Sequence, residues 1–393
     1  MAKYEGKVLN GRGELVGWGL ETAEDGSIVE LLPVGEGEGP KGWVIPGLID
    51  IHCHGGGGAS FPDSWEESDV ATAIDAHRKL GTTGMMASLV SMLDPIPQIE
   101  LLVPACERGE LLGIHLEGPY ISIEKKGAQN PDAVRAPDLD ELRRWLEAGK
   151  GWIKTMTIAP EVPRAQEAAE LLLEYGALPS WGHTSATMVQ TRDRVREFWA
   201  HAQEVKYEGV CQTATHLFNG MPEMLHREPG PVRELVQTAR RGEAVVELIG
   251  DGIHVNLDLV ADVVKYVQNG DDEGLGLVFV TDSMAAAGLE DGAYELGGLP
   301  VTVKDGVARL TEGGAIAGGT SRLIQQIQGT VRAGLLEIGE AVKASVAAPA
   351  RVLGLDNSAS GVTLEFVAGE QPNLLHLDEE LNLLAVVREG KLV

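Results

Sequence analysis

The chain has 393 residues, 44% of them hydrophobic, enough for one large domain and a small one around a real core. Its formal charge of −27 argues against nucleic acids and anionic membrane surfaces as partners, because both demand a basic face. No run approaches the ~20 uncharged apolar residues of a membrane span, residues 1–6 hold no apolar core of the secretory type, and Cys53, Cys106 and Cys211 form no C-x-x-C, so a cytoplasmic, reducing setting is expected.

Residues 1–42 alternate apolar and polar side chains in short runs, such as Lys7-Val8-Leu9-Asn10 and Ser27-Ile28-Val29-Glu30-Leu31-Leu32, and predict a small antiparallel sheet. The glycine-rich stretch 35–40 reads as a connector. From Trp43 onward, apolar strands alternate with helical patterns. Strands are expected near 43–52, 83–91, 111–117, 152–159, 178–183, 211–216, 245–251 and 276–282. Helices are expected over 65–80, 96–108, 138–149, 163–175, 187–208, 230–241, 258–268 and 320–335. Eight strand–helix units in series predict an α/β fold, a (β/α)8 barrel over 43–355, with an open doubly wound sheet as the competitor. Ser64-Trp65-Glu66-Glu67 reads as a helix cap with Glu at the third helical position, and Pro95, Pro137 and Pro163 stand where loops turn into helices. Between the eighth strand and its helix, Tyr294 to Leu310 reads as a hairpin turning at Asp305-Gly306. The tail returns to β alternation, so 1–42 and 356–393 are expected to build one small discontinuous β-sandwich domain.

In such a barrel, reactive groups collect at the C-terminal strand ends. His52 and His54 end the first strand at spacing i, i+2, so both imidazoles point to one side. Glu117 ends the third strand, His183 the fifth, His216 the sixth and Asp282 the eighth, while His254 follows the seventh. Each has a structural reading when taken singly: a hydrogen-bonded strand-end histidine, a loop-capping Asp282, a turn residue before Gly118-Pro119. Together, nitrogen and oxygen donors from separate strands match what a catalytic Zn²⁺ or similar ion requires. Cys53 should point away from the two histidines, and Cys106 and Cys211 should be buried. His77 and His201 read as surface residues, and His115 either supports the site or packs. Lys154 begins the fourth strand, the wrong end for a carbamylated lysine bridging two metals. Gly55 to Gly58 is followed by no Lys-Ser/Thr pair, so it is no phosphate loop.

The run Pro46-Gly47-Leu48-Ile49-Asp50-Ile51-His52-Cys53-His54-Gly55 resembles the first-strand signature of the amidohydrolase superfamily. With His115-Leu116-Glu117-Gly118-Pro119, Gly182-His183-Thr184-Ser185, Thr215-His216-Leu217-Phe218-Asn219-Gly220-Met221-Pro222, Arg227-Glu228-Pro229-Gly230, Asp251-Gly252-Ile253-His254 and Thr281-Asp282, the chain resembles the N-acetylglucosamine-6-phosphate deacetylase family over essentially its whole length. The resemblance implies that Glu117, His183 and His216 hold a catalytic divalent metal. His52 and His54 match a pair that some members keep, which implies a second metal bridged by Glu117, hence one or two ions per subunit: zinc first, with iron, manganese or cobalt as alternatives. Asp282 would be general base and then general acid. His254, Arg227, Asn219 and Gly220 would bind the sugar phosphate, with Arg227 reaching a neighbouring subunit's site in a homodimer. Ala128 and Gln129 lie in a segment near the acetyl carbonyl, where Gln129 replaces the histidine of some members; Ile316, Ala317 and Gly318 lie in a substrate-covering segment altered from the usual sequence.

The resemblance thus implies metal-assisted hydrolysis of the N-acetyl group of N-acetyl-D-glucosamine 6-phosphate to glucosamine 6-phosphate and acetate. Two alternatives stay open from the residues: a deacetylase for N-acetylgalactosamine 6-phosphate or another N-acyl amino sugar, and a non-catalytic sugar-phosphate-binding protein.

Overall fold

Eight parallel strands run in chain order around the centre of the molecule: Leu48–Asp50, Thr82–Leu89, Gly113–Glu117, Ile153–Ile158, Leu178–Trp181, Thr213–Ala214, Val245–Leu248 and Leu277–Phe279. The computed structural model describes residues 1–393 except Glu38, which falls in the expected connector, and Asp271. The first and eighth strands meet at their C-terminal ends. There the Asp282 N–H donates to the His52 carbonyl at 2.9 Å and the His54 N–H to the Ser283 carbonyl at 2.8 Å. These bonds all but close the sheet into a barrel, and they are the reason residues 230 positions apart share one site.

The strands are buried on both faces, as a parallel sheet covered by helices requires. All of Thr82–Leu89 is buried, for example. The covering helices bury one stripe each. In Leu139–Ala148 the buried residues are Leu142, Trp145 and Leu146, spaced i, i+3, i+4, and the Asp138 carboxylate caps the helix by accepting from the backbone N–H of Asp140 and Glu141. Thr187 and Gln190 form a reciprocal capping box at the start of Met188–Glu204. No described helix is long and apolar enough to cross a membrane.

Both termini build a second, seven-stranded sheet in the spatial order Lys391–Leu392, Leu383–Arg388, Leu374–Leu377, Trp43–Pro46, Ala2–Leu9, Leu15–Thr22, Ile28–Leu31. Tyr4, Val8, Leu20, Ile28, Val44, Phe366, Leu374 and Val387 form its core. The stretch expected as one strand over 43–52 is therefore two. Trp43–Pro46 pairs with both terminal segments, Leu48–Asp50 opens the barrel, and Gly47 stands between them. A periodic apolar run cannot reveal that change of partner.

Other differences are local. The first barrel helix starts at Glu67 without a side-chain cap, because the buried Ser64 hydroxyl donates instead to the Ser60 carbonyl at 2.6 Å. The excursion after the eighth strand is a three-stranded sheet, Gly292–Leu296, Leu299–Lys304 and Val307–Leu310, turning at Gly297-Gly298 as well as at Asp305-Gly306. Two further helices, Ile338–Ser345 and Ala347–Leu353, follow Leu323–Arg332.

Candidate metal centre

The C-terminal strand ends deliver six side chains to one point. Glu117 is the last residue of its strand, and His52, His54, His183, His216 and Asp282 lie two to four residues beyond theirs. Glu117 Oε1 lies 2.9 Å from His183 Nε2 and 2.8 Å from His216 Nε2. Glu117 Oε2 lies 3.1 Å from His54 Nε2, and Asp282 Oδ1 lies 3.4 Å from His52 Nε2 and 3.3 Å from His54 Nε2. Two donor groups result, Glu117/His183/His216 and His52/His54/Glu117/Asp282, with Glu117 in both.

Backbone geometry at these positions is strained. His183, His216 and Asp282 have φ of 45°, 23° and 47°, in the left-handed region that costs a residue with a Cβ about 1–3 kcal/mol. The chain holds that conformation because it turns each side chain off its strand into the barrel mouth. Gly220 and Gly318 allow the close approach of the covering loops. A Cβ on Gly220 (φ +59°) would lie 2.9 Å from His183 Nδ1, and one on Gly318 (φ +80°) would lie 2.8 Å from the Asp282 carbonyl oxygen.

The hydrogen bonds behind the imidazoles decide what the site can hold. His183 Nδ1–H donates to the Lys125 carbonyl at 2.7 Å, His52 Nδ1–H to Glu247 Oε2 at 2.8 Å, and His54 Nδ1–H to the Ser88 carbonyl at 3.1 Å. A neutral ring that donates at Nδ1 carries a lone pair at Nε2. Those Nε2 atoms face each other and face carboxylate oxygens: His52 and His54 stand 3.2 Å apart, His183 and His216 3.1 Å apart. Lone pairs at such distances repel unless a cation lies between them. The donors are all nitrogen and oxygen; three of the four rings are oriented from behind, the buried His216 Nδ1 has no partner among the described residues, and the set fits a divalent metal ion in each group.

The electrostatics agree. Burial opposes charge on His52, but the carboxylates of Glu247, Asp282 and Glu117 outweigh it and take the imidazole up to about 9. Burial opposes charge on His54 too, and Asp282 and Glu117 take it up to about 10. Burial would raise the Asp282 carboxyl, yet the two neighbouring imidazoles hold it down at about 2. Glu117 is likewise held well below the usual carboxylate range, against burial, by His183, His216 and His54. The same carboxylates that favour positive charge on the imidazoles would favour a cation held among them.

A cavity of about 290 Å³ opens over this cluster. His54, Glu117, His183, His216, Asp282 and His254 line it, with Ala128, Gln129, Asn219, Gly220, Ile316 and Gly318. A larger recess of about 440 Å³ beside Trp65 and Leu93 holds none of these donors. His254 Nδ1 bonds Asp251 Oδ2 at 2.8 Å; burial opposes its charge, but that carboxylate raises the imidazole above its ordinary range. Gln129 Nε2 donates to Glu117 Oε2 and its Oε1 accepts from the Ser91 N–H, both at 2.5 Å. Of the expected substrate-binding residues, two stand apart from the cavity wall. Ala317 is fully buried in the core of the three-stranded sheet, and Arg227 is exposed, away from this chain's own cavity.

Cys53 points away from the cluster, and all three cysteines are free and buried. His77, expected on the surface, is instead fully buried. Its Nε2 donates to the Gly55 carbonyl at 2.9 Å and lies near Cys53 and Ser283, so it backs the loop that carries His54. One residue in twelve on an amphipathic helix gives no sign of such a partner. His115 bonds Ser88 Oγ and Thr157 Oγ1 and packs edge-on against His52. Sequence reading missed Glu247, which accepts from His52 and from the His216 N–H at 3.1 Å. The signal was present: a lone carboxylate inside the apolar strand Val245–Leu248.

A model of the Amidohydrolase family matches residues 43–177. The N-acetylglucosamine-6-phosphate deacetylase of Bacillus subtilis (strain 168) is 34% identical over 282 residues, 69% of this chain and 65% of that enzyme's length. The N-acetylgalactosamine-6-phosphate deacetylase of Escherichia coli O157:H7 is 29% identical over 374 residues, 93% of this chain and 91% of the relative. Among solved structures, a mutant N-acetyl-D-glucosamine-6-phosphate deacetylase from Mycobacterium smegmatis in complex with N-acetyl-D-glucosamine-6-phosphate superposes with a TM-score of 0.85 at 33% identity, covering 99% of this chain and 98% of that one.

Proposed function

The chain belongs to the N-acetylglucosamine-6-phosphate deacetylase family of amidohydrolases, and on that premise we propose that it hydrolyses N-acetyl-D-glucosamine 6-phosphate to glucosamine 6-phosphate and acetate. The observation that carries this reading is the convergence of Glu117, His183, His216, His52, His54 and Asp282 beneath one cavity whose wall also holds the cation-favouring His254.

Glu117, His183 and His216 would hold one divalent ion, and His52 and His54 with Glu117 a second. Such an ion supplies polarisation of the acetyl carbonyl and a lowered pKa for water at the site. The nitrogen and oxygen donors support zinc first, with iron, manganese or cobalt as alternatives.

Asp282 does the proton work. As the water oxygen attacks the acetyl carbon, the Asp282 carboxylate accepts the water proton. The C–N bond then breaks as Asp282 returns that proton to the leaving nitrogen, and acetate departs.

Phosphate recognition is assigned to His254, with Asn219 and Gly220 beside it and Arg227 reaching in from a second copy. Exposed Met224 and Leu225 closely precede Arg227 in the chain and support a chain–chain contact there. A phosphorylated sugar is retained inside cells by its charge, which supports a cytoplasmic location. The test is acetate release from the gluco and galacto 6-phosphates and from unphosphorylated N-acetylglucosamine, with and without added Zn²⁺. Release fastest from the gluco 6-phosphate and dependent on metal is expected. A metal-loaded protein that releases no acetate from any of them refutes the reading.

A further inference from the structure

We propose that Gln129 is a positioning residue for Glu117, and that it sets how tightly the His52/His54 group binds its cation relative to the Glu117/His183/His216 group. This rests on the reading that both groups bind divalent ions.

The amide is buried, with 3% of its surface exposed. Its orientation is dictated. A backbone N–H can only donate, so the atom facing the Ser91 N–H must be the amide oxygen, and the amide nitrogen then faces Glu117 Oε2. Ser91 is itself tied to the Glu117 carbonyl through its hydroxyl at 3.3 Å, so the clamp closes on a fixed anchor. The same loop supplies the Lys125 carbonyl that orients His183. One segment therefore aligns a ligand of each group.

The two oxygens of Glu117 have separate tasks. Oε1 sits between His183 and His216, while Oε2 faces His54. The terminal torsion of a glutamate is broad, so it does not fix the carboxylate plane by itself. Among the described residues, the Gln129 amide is the uncharged donor that holds Oε2. A carboxylate oxygen has two lone-pair directions, so the amide occupies one and leaves the other for a cation. Being neutral, the amide adds no charge that would repel that cation. Without it, Oε1 stays between its two imidazoles, whereas Oε2 loses its alignment toward His54.

Partners behind metal ligands commonly change metal affinity by about 10–100-fold. The experiment is a titration of metal-stripped protein with Zn²⁺, followed by calorimetry and by elemental analysis of bound metal. The binding step lost in His54→Ala identifies the His52/His54 equivalent. Gln129→Met keeps the length of the side chain without a donor or acceptor; Gln129→Ala is the second variant should the first misfold. In either variant the His52/His54 equivalent is expected to weaken at least tenfold, while the other changes less than about threefold and the melting temperature of the metal-free protein stays within a few degrees. Equal weakening of both equivalents, an unchanged His52/His54 equivalent, or a wild-type chain that binds only one ion overturns the proposal. Acetate release plays no part in this titration. A failed clamp therefore leaves the deacetylase reading standing, and a chain inactive on the sugar phosphate can still show the split.

Discussion

Replacing Asp282 with asparagine tests the proton transfer proposed for it. The substitution keeps the side chain's shape, and asparagine tolerates the left-handed backbone (φ 47°) that position requires, so the fold should survive. The contacts of Asp282 to His52 and His54, at 3.4 and 3.3 Å, are charge contacts rather than short hydrogen bonds. What disappears is the capacity to accept a proton from water and return it to the leaving nitrogen. Each role is worth about 10²–10⁴-fold, and the proposed mechanism gives both to this one residue. A fall in kcat of roughly 10³–10⁴ is therefore expected, about 4–5.5 kcal/mol at 1.36 kcal/mol per decade. KM should change little, because Asp282 is not assigned to sugar or phosphate binding. Glu117, His183 and His216 form a complete donor group without it, so that group's metal should stay bound. Steady-state kinetics on N-acetylglucosamine 6-phosphate and elemental analysis of the purified variant check both halves. A kcat within tenfold of wild type would remove Asp282 from proton transfer; loss of all bound metal would make it a ligand instead.

Arg227→Ala should raise KM for the phosphorylated sugar far more than for the unphosphorylated one, and equal effects in kinetics on the two sugars would remove it from phosphate recognition. Gly220→Ala places a methyl 2.9 Å from His183 Nδ1 on left-handed backbone, so it should disturb the bond to Lys125 and lower metal affinity by about 10–100-fold in a metal titration. The phosphate role proposed for His254, whose pKa is raised against burial by Asp251, predicts a pH dependence of substrate binding. A raised imidazole keeps its charge below and through the ordinary histidine range and loses it as pH rises past the raised value. KM for the phosphorylated sugar should therefore climb at alkaline pH, and Asp251→Asn should move the climb to lower pH; an identical profile in that variant removes the pair from binding.

Much of the fold was legible because its elements are local and periodic. The helix expected over 96–108 spans Ile96–Glu107, and that over 138–149 spans Leu139–Ala148. The strand ends that carry Glu117, His183 and His216 could be found because strands and helices alternate in a fixed order. The errors fall where a side chain bonds a partner that its residue type and the local periodicity do not reveal. Ser64 has the chemistry of a cap but bonds Ser60, and His77 has the setting of a surface residue but bonds Gly55. Gln129 illustrates the same limit within the site. Its residue type shows that it can donate and accept, but not that Ser91 takes one end of the amide and Glu117 the other.

The sequence by itself determined the alternation of strands and helices, the i, i+2 spacing of His52 and His54, and the kinds of donor available at each strand end. These follow from backbone period and side-chain chemistry, which neighbours along the chain are enough to set. Only the tertiary structure decided which nitrogen of each imidazole faces the centre. His52 is oriented by Glu247, 195 residues away, and His54 by the Ser88 carbonyl. Those partners come together only when the barrel closes, because a tautomer is fixed by the hydrogen bond on the far side of the ring.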